Sequence, residues 1–314
     1  MAQPTNTFST YDSVGNREDL SDIIFDISPT ETPGMTMAKK TKATATNHEW
    51  QTDSLAAASA TNAVIEGDDA TTDASAATTR LGNYTQIQDK VARTTGTEDT
   101  VKKAGRGNEL DYQVMKRSKE LKRDMESSLF ANNAKVAGND TTARELAGIP
   151  AWLATNTSAG SGGTDPTGDG TDARGDGTQR AFTEDLLLDV MQSCWENGGE
   201  PDALIVGPFN KRKASGFTGV ATKFKDVDDK KIIASADIYV SDFGEINIIP
   251  NRFSRARDAI LIQKDMIKAA MLRPMASWDL AKTGDSERKQ ILVEWTLQMC
   301  NEAAHGIVAD LTTS

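Results

Sequence analysis

The feature that most constrains this chain is one long amphipathic segment between Asn108 and Ala137. Its apolar residues recur every three or four positions, so an α-helix would place them on one face. They are Leu110, Val114, Leu121, Met125 and Leu129. Asn108 is a favourable N-cap, and Gly138 suits the position just beyond a helix end. At about 1.5 Å per residue, such a helix would extend roughly 45 Å. A helix this long with a narrow apolar face needs a sheet to lie along.

The other faces of the predicted helix are strongly charged. Lys116 precedes Glu120 by four residues, and Lys122 precedes Glu126 by four, a spacing that supports a helix where it meets water. The stretch 102–123 holds eight basic residues against three acidic ones. This excess indicates either a solvated helix face with partners elsewhere or a surface that contacts phosphates weakly.

The clearest strand pattern lies near the C-terminus. From Gln290 to Met299, apolar and polar residues alternate almost strictly, which is the period of a half-buried β-strand. After a turn at Asn301 to Gly306, Ile307 to Leu311 is predicted to pair back against this strand. Because the helix and the strand are distant in sequence, we expect the first third and the last sixth of the chain to form one core, with the middle inserted.

The inserted middle predicts a small α/β unit. Thr183 would cap a helix that ends at Gly198, and Pro208 would open a second, basic helix. Four short strands are predicted, at Ala203 to Val206, Ile238 to Val240, Glu245 to Ile249 and Ala259 to Ile262. The preceding stretch, Ser158 to Gln179, is mostly Gly, Asp, Thr and Ser. Its acids lack the spacing of a calcium loop, so we expect a mobile surface loop.

Two N-terminal segments are too polar to form a core. Residues 1–45 carry a single apolar patch, at Ile23, Ile24, Phe25 and Ile27, and predict an extended arm that docks elsewhere. Residues 52–79 are mainly Ala, Thr, Ser and Asp and are longer than a connection inside a compact domain. Strand patterns on either side, at Asn47 to Gln51 and Arg80 to Arg93, predict a projecting hairpin.

Composition excludes several classes of function. The formal net charge of −11 argues against a dedicated nucleic-acid binder, because phosphate contacts require a basic surface. No apolar run is long enough to cross a membrane, and the first residues do not resemble a signal peptide, so a cytoplasmic protein is expected. Cys194 and Cys300 are predicted to be small apolar side chains without a disulfide framework.

An enzymatic role finds little support in the sequence. The two histidines, His48 and His305, have no motif around them, and no phosphate-binding loop, dinucleotide fingerprint or zinc motif is present. Carboxylates such as Glu66, Asp68 and Asp69 lie in polar stretches, where solvated side chains are expected. We therefore predict no catalytic residue, no metal ligand and no cofactor.

Five motifs, with the order of the predicted parts, resemble the major head proteins of tailed bacteriophages, in particular the group typified by the SU-ten head protein. The motifs are Glu49 to Leu55, Tyr239 to Gly244, Leu280 to Asp285, Glu294 to Leu297 and Asn301 to Gly306. The resemblance covers most of the chain, and the C-terminal motifs are its most specific part.

This resemblance implies an α+β fold, the HK-ninety-seven (Johnson) capsid fold. It divides the chain into an N-terminal arm at 1–45, an E-loop hairpin at 46–92, a peripheral domain at 93–154 with a spine helix at 108–137, an axial domain at 155–260, and C-terminal strands at 261–314 that complete the peripheral domain.

The implied function is self-assembly, as hexamers and pentamers, into an icosahedral head around double-stranded DNA. The protein would assemble in the bacterial cytoplasm and reside in the virion. Its expected partners are further copies of itself, a portal, a scaffolding protein and a cement or decoration protein, with packaged DNA contacted non-specifically and no membrane. The arm starts near Met1, so scaffolding is expected to be separate or dispensable. No lysine lies between Gln51 and Asp89, so the shell is expected to hold non-covalently.

Three groups of residues follow from this implied assembly. The E-loop residues expected between subunits are Leu55, Val64, Ile65, Glu66 and Asp68. The arm residues expected to dock are Ile23, Ile24, Phe25 and Ile27. The residues expected to face DNA are Lys116, Lys119 and Lys122. Two alternatives stay open: the shell of an encapsulin-like nanocompartment, and a soluble carboxylate-based enzyme with its site in the 158–179 loop.

Overall fold

The long amphipathic segment forms helix α3 (Glu109–Leu129) in a computed structural model that describes residues 28–69, 75–102, 107–217 and 238–314. The predicted N-cap is confirmed, because the Asn108 side chain accepts a hydrogen bond from the backbone N–H of Asp111 at 3.0 Å. Leu110, Leu121, Met125 and Leu129 are buried on one face. The apolar periodicity therefore identified the helix and the face that packs.

The predicted end of this helix at Ala137 is wrong, because α3 stops at Leu129. Phe130 turns fully into the core. The side chains of Asn132 and Asn133 then donate to the backbone carbonyls of Arg174 and Leu146, both at 2.8 Å. These tertiary contacts replace the helical hydrogen bonds. Gly138, expected just after the helix, instead has a φ of +72° in a turn between Val136 and Glu145, which pair as an isolated bridge.

A four-stranded sheet supports α3. Its order is β1 (Lys39–Lys42), β10 (Ile267–Asp279), β11 (Ser286–Met299) and β4 (Gln86–Thr95). β11 is antiparallel to both of its neighbours. The alternation predicted for it is confirmed, because Ile291, Val293, Trp295, Leu297 and Met299 are all buried in the cluster that includes α3.

A second, six-stranded sheet carries helices α4 (Glu184–Glu196) and α5 (Pro208–Ala214). Its order is β5 (Thr157–Ser158), β12 (Gly306–Val308), β9 (Ala259–Ile262), β6 (Ala203–Val206), β8 (Gly244–Pro250) and β7 (Ile238–Ser241). The strands predicted for the inserted unit are therefore present. Ile205 and Ile260 belong to the core cluster that contains α3, whereas Leu204 and Leu261 belong to the cluster that contains α4.

The pairing predicted for Ile307 to Leu311 is wrong. β12 lies inside the six-stranded sheet, antiparallel to β9 and parallel to β5, so it does not complete the sheet of β11. Both edges of β11 are already occupied by β10 and β4. Ile307 and Val308 are fully buried in different core clusters, and a strand that is apolar on both faces belongs in the interior of a covered sheet.

The remaining elements are small. β2 (Asn47–Thr52) and β3 (Thr79–Tyr84) pair as a two-stranded antiparallel hairpin. Two short helices complete the fold: α1 (Pro33–Met37) precedes β1, and α2 (Gly96–Thr100) follows β4.

The expectation of a mobile loop at Ser158 to Gln179 is also wrong, because the segment is held by buried side chains. The Asp310 carboxylate accepts from the N–H groups of Gly160 and Gly177, both at 2.9 Å, and from Arg257 at 2.5 Å. Burial alone would raise the pKa of Asp310, but these hydrogen bonds and the guanidinium lower it. Arg174, itself buried, donates to the carbonyl of Leu153 at 2.6 Å. The glycines let the backbone approach these groups, which come from distant parts of the sequence.

Candidate interaction surfaces

The connection between β2 and β3, of which residues 53–69 and 75–78 are described, carries exposed apolar side chains and is here called the hairpin tip. Leu55 is 99% exposed, Val64 87% and Ile65 78%. Glu66 and Asp68 beside them are exposed as well, in keeping with the solvated carboxylates predicted here. Large apolar side chains exposed in this way are typical of an interaction surface. The five predicted E-loop residues are thus all exposed on the connection between β2 and β3.

The base of the hairpin is firmly attached to the rest of the fold. Trp50 stacks at a tilt on Trp152, with ring centroids 5.3 Å apart. The buried Asn83 side chain donates to the carbonyl of Leu297 at 3.0 Å and accepts from the N–H of Ala147 at 2.9 Å. Lys135 donates to the carbonyl of Gly82 at 2.8 Å. The hairpin tip therefore extends from a base that is well anchored in the fold.

A second apolar surface, here called the outer patch, lies on the face of the four-stranded sheet opposite α3. Strand register aligns Trp278, Gln290 and Val91 across three strands, and Ala276, Leu292 and Asp89 in the next row. Trp278 is 46% exposed and Val91 44%. Ile87, one row further, is 47% exposed. The outer patch consists of Ile87, Val91, Ala276, Trp278 and Leu292.

Basic side chains bound the outer patch at both ends. Beyond Val91 the next row pairs Arg93 with Arg288, and at the other end Arg273 lies in the row of Ile87. Arg273 reaches the buried Glu294 at 2.7 Å and remains about half exposed. Sequence reasoning recognised Ile87 and Val91 only as strand residues. The sequence did not reveal the exposed apolar face, because Trp278 is supplied by β10, on the far side of β11 from β4.

Glu126 forms a buried clamp between three parts of the chain. Its carboxylate accepts from the backbone N–H groups of Gly34 and Met35, both at 2.8 Å, and from the side chain of Asn251 at 2.7 Å. The two N–H groups lie in the first turn of α1, where a helix has donors without partners and favours negative charge. A side chain on Gly34 would collide with the ring of Phe130. Burial raises the pKa of Glu126, against the lowering effect of these hydrogen bonds.

This clamp corrects the predicted surface pairing of Lys122 with Glu126, since Glu126 is fully buried. Glu120, the other predicted partner, receives a hydrogen bond from Arg117 at 2.6 Å. No sequence signal distinguished the two glutamates, because the groups that bury Glu126 come from α1 and from the turn at Asn251.

The three lysines predicted to face DNA lie together on the exposed side of α3. Lys116, Lys119 and Lys122 are all exposed, and their spacing of three places them along one side of the helix. Arg123 beside them lies over the ring of Phe253, 5.4 Å from its centroid. The four predicted arm residues, Ile23, Ile24, Phe25 and Ile27, lie outside the described residues.

The histidines and cysteines do not form a reactive site in the described part of the chain. His305 is buried, and burial lowers its pKa to about 4, while its Nδ1 accepts from the N–H of Gln263 at 3.2 Å. Burial raises the pKa of Cys194 to about 12, which makes its thiol unreactive. Among the described residues, no group of His, Cys, Asp and Glu side chains is placed to hold a metal ion. None of the described helices is both long and apolar enough to cross a membrane.

Comparisons with known proteins agree over nearly the whole length. A family model described as the SU10 major capsid protein matches residues 3–312. The major capsid protein of Escherichia phage Phieco32 is 28% identical over 344 aligned positions, which cover 98% of this chain and 97% of that protein.

Solved structures are similar at much lower sequence identity. A chain of the Cyanophage A-1(L) capsid asymmetric unit has a TM-score of 0.65 at 11% identity and covers 98% of this chain and 99% of its own length. A chain from Gordonia phage Cozz has a TM-score of 0.62 at 11% identity, with coverage of 99% and 98%. At this identity the likeness concerns the fold.

Proposed function

This chain belongs to the SU10 major capsid protein family, and we propose that its hairpin tip binds the outer patch of a neighbouring copy. It is the major capsid protein of a tailed phage and forms the virion capsid. The fold is of the HK-ninety-seven type, as the resemblance implied. What needs explanation is how one subunit joins the next.

The proposed contact rests on one observation: exposed apolar side chains lie both at the hairpin tip and on the outer patch of the same chain. Val64 and Ile65 supply the exposed apolar side chains, and Glu66 and Asp68 lie next to them. The outer patch is partly apolar, with Gln290 lying between Trp278 and Val91, and it carries arginines at both ends. Complementary charges at the rim of an apolar contact select the partner and fix its register.

A contact between two different surfaces of the same chain is heterologous, and repeated rotation can close it into a ring. We propose that such rings are the hexamers and pentamers of the shell. Each subunit would then be held by several contacts at once, so individually modest interfaces sum to a stable shell. The division into arm, E-loop, peripheral and axial parts is retained in this proposal, with Gly306–Val308 moved to the axial part.

No catalytic activity forms part of this proposal. Portal, scaffolding and cement or decoration proteins remain proposed partners, as does packaged double-stranded DNA.

Electron microscopy of the protein expressed alone, after size-exclusion chromatography, tests the assembly. Closed shells or regular tubes would establish that the chain assembles without a partner. Monomers that stay monomeric, even when the neighbouring capsid genes are co-expressed, would contradict the proposal.

The assembled shell should dissociate completely in hot detergent. The hairpin tip and its flanking strands from Gln51 to Asp89 contain no lysine, so no amide cross-link can start from a lysine there. We expect a single monomer band after boiling purified particles in detergent. A ladder of covalent oligomers would show that another residue forms cross-links.

We propose that Lys116, Lys119 and Lys122 face the packaged DNA. Changing all three to Glu should lower the DNA retained per particle, because like charges would repel the phosphates, and changing them to Gln should lower it less. The ratio of nucleic acid to protein in purified particles measures this directly. Particles of the Glu variant that retain the normal amount of DNA would contradict the proposal.

A further inference from the structure

The C-terminal tail, residues 309–312, is hydrogen-bonded to both ends of the segment 158–180, here called the strut. The backbone N–H of the first tail residue donates to the carbonyl of Ser158 at 2.8 Å, and that of the last donates to the carbonyl of Arg180 at 2.9 Å. Arg180 in turn donates its own N–H to the carbonyl of Asp310 at 2.7 Å. The two ends of the strut therefore meet at the tail.

The side chain of Asp310 holds these two ends together. Its buried carboxylate accepts one N–H group from each end, from Gly160 and from Gly177, both at 2.9 Å. Its backbone has a φ of +60°, which aspartate and asparagine tolerate better than most other residues. A Cβ on Gly177 would lie 2.8 Å from the carboxylate and 2.6 Å from the backbone nitrogen of Gly163. Glycine is therefore needed where the strut meets the tail.

The middle of the strut is attached to the residues that follow α3. The N–H of Arg174 donates to the Asn132 side chain at 2.9 Å, and the Arg174 carbonyl accepts from the same side chain at 2.8 Å. The N–H of Lys135 donates to the carbonyl of Gly170 at 2.8 Å. The ammonium group of Lys135 donates to the carbonyl of Asp169, also at 2.8 Å. The strut therefore connects the six-stranded sheet with the end of α3.

Lys135 and Trp152 extend this attachment to the base of the hairpin. The ammonium group of Lys135 also donates to the carbonyl of Gly82 in β3 at 2.8 Å, and it lies over the ring of Trp152, 5.6 Å from the centroid. That ring stacks on Trp50 in β2. A Cβ on Gly170 would lie 2.8 Å from the same ring, so the strut packs directly against it. Each strand of the hairpin base is thus one side chain away from the strut.

From these contacts we infer that the strut couples the C-terminal tail to the hairpin base, so that the base keeps its position only while the tail is docked. Asp310 and Lys135 are the positioning residues at the two ends of this coupling. Coupling between distant sites is carried by contiguous hydrogen bonds and packed side chains, and the strut supplies both. The inference concerns the single subunit and does not rest on the proposed docking of the hairpin tip.

Hydrogen exchange in dissociated subunits tests this coupling. Asp310→Asn retains a residue type that tolerates a positive φ but replaces one carboxylate oxygen with a donor, which cannot accept an N–H group. Amide exchange in β3 (Thr79–Tyr84), relative to that in β6 (Ala203–Val206), should become about tenfold faster. A tenfold change corresponds to roughly 1.4 kcal/mol, the order of one lost hydrogen bond to a charged group. Lys135→Met, which removes the donor to Gly82, should have an effect of similar size.

A matched aspartate and a second variant serve as controls. The carboxylate of Asp202 also accepts a backbone N–H group, that of Lys264 at 3.0 Å, but this partner lies outside the strut. Asp202→Asn should therefore leave the ratio of exchange in β3 to exchange in β6 unchanged. If Asp310→Asn does not fold, Gly177→Ala takes its place, because the added methyl group separates the strut from the same carboxylate.

The double variant Asp310→Asn, Lys135→Met decides whether the two ends act together. Independent contacts at this separation would have additive free energies, so the ratio would rise by about a hundredfold. A coupled strut should give little more than the larger single effect, because a strut released at one end no longer holds the other. A multiplicative double variant would overturn the inference. So would equal acceleration in β3 and β6, or an unchanged rate in β3, because the hairpin base would then not depend specifically on the tail.

Discussion

Replacing Glu126 with Ala should lower the free energy of unfolding of the isolated subunit by about 3–5 kcal/mol, as expected when one partner of a buried charged network is removed. The carboxylate accepts three hydrogen bonds, two of them from α1 and one from Asn251. Without it, the N–H groups of Gly34 and Met35 lose their acceptor. Each unsatisfied buried donor costs about 1–3 kcal/mol. Chemical denaturation of dissociated subunits measures the change.

Glu120 provides the matched control on the same helix. Its carboxylate pairs with Arg117 near the surface, and surface ion pairs contribute at most about 1 kcal/mol. Glu120→Ala should therefore change stability little. Equal effects of the two substitutions would show that the buried clamp has no special role.

The clamp also predicts a pH dependence. Burial raises the pKa of Glu126, so the native state binds this proton more readily than the unfolded chain. Its contribution is complete below the unfolded pKa and declines as the pH rises through the folded pKa. Glu126→Gln should remove this decline from a plot of stability against pH. The remaining slope then belongs to other groups, such as Asp258, whose pKa burial raises to about 6.

Replacing both Val64 and Ile65 with Asp should abolish closed shells while leaving the subunit folded. Fully burying one such aliphatic side chain contributes about 1.5–3 kcal/mol, and every copy in the shell would lose two. The same side chains are 87% and 78% exposed in the single subunit. Stability of the free subunit should therefore change by no more than about 0.5 kcal/mol. Electron microscopy and denaturation of the same preparation give both quantities.

A double change of Ser59 and Thr61 to Asp is the control, because it adds the same charge to the exposed tip without removing apolar area. Trp278→Ala tests the outer-patch side of the contact and should also lower the yield of closed shells. Normal yields of closed shells from the Val64→Asp, Ile65→Asp variant would contradict the proposed docking of the hairpin tip.

Local patterns in the sequence predicted those elements whose surroundings are simple. The helix start at Asn108 and the alternation from Gln290 to Met299 are each encoded within one stretch, by a capping side chain and by a period of two. The hairpin tip was recognisable because its composition cannot form a core. The same composition explains why the residues of the tip are exposed.

Features that depend on distant residues could not be predicted in this way. Whether Glu126 or Glu120 is buried depends on α1 and Asn251, which lie 91 or more residues away in sequence. The end of α3 depends on how Phe130 packs into the core. The outer patch exists only because β10 and β4 meet on either side of β11. In each case the deciding contact is tertiary, and no local pattern records it.

The interior position of β12 in the six-stranded sheet has a consequence for synthesis. Its neighbour β5 (Thr157–Ser158) leaves the ribosome roughly 150 residues before Gly306–Val308, a delay on the order of 10 s at about 5–20 residues per second. The sheet cannot be complete until Gly306–Val308 has been translated. A nascent chain that lacks this strand therefore cannot present a finished subunit to its neighbours.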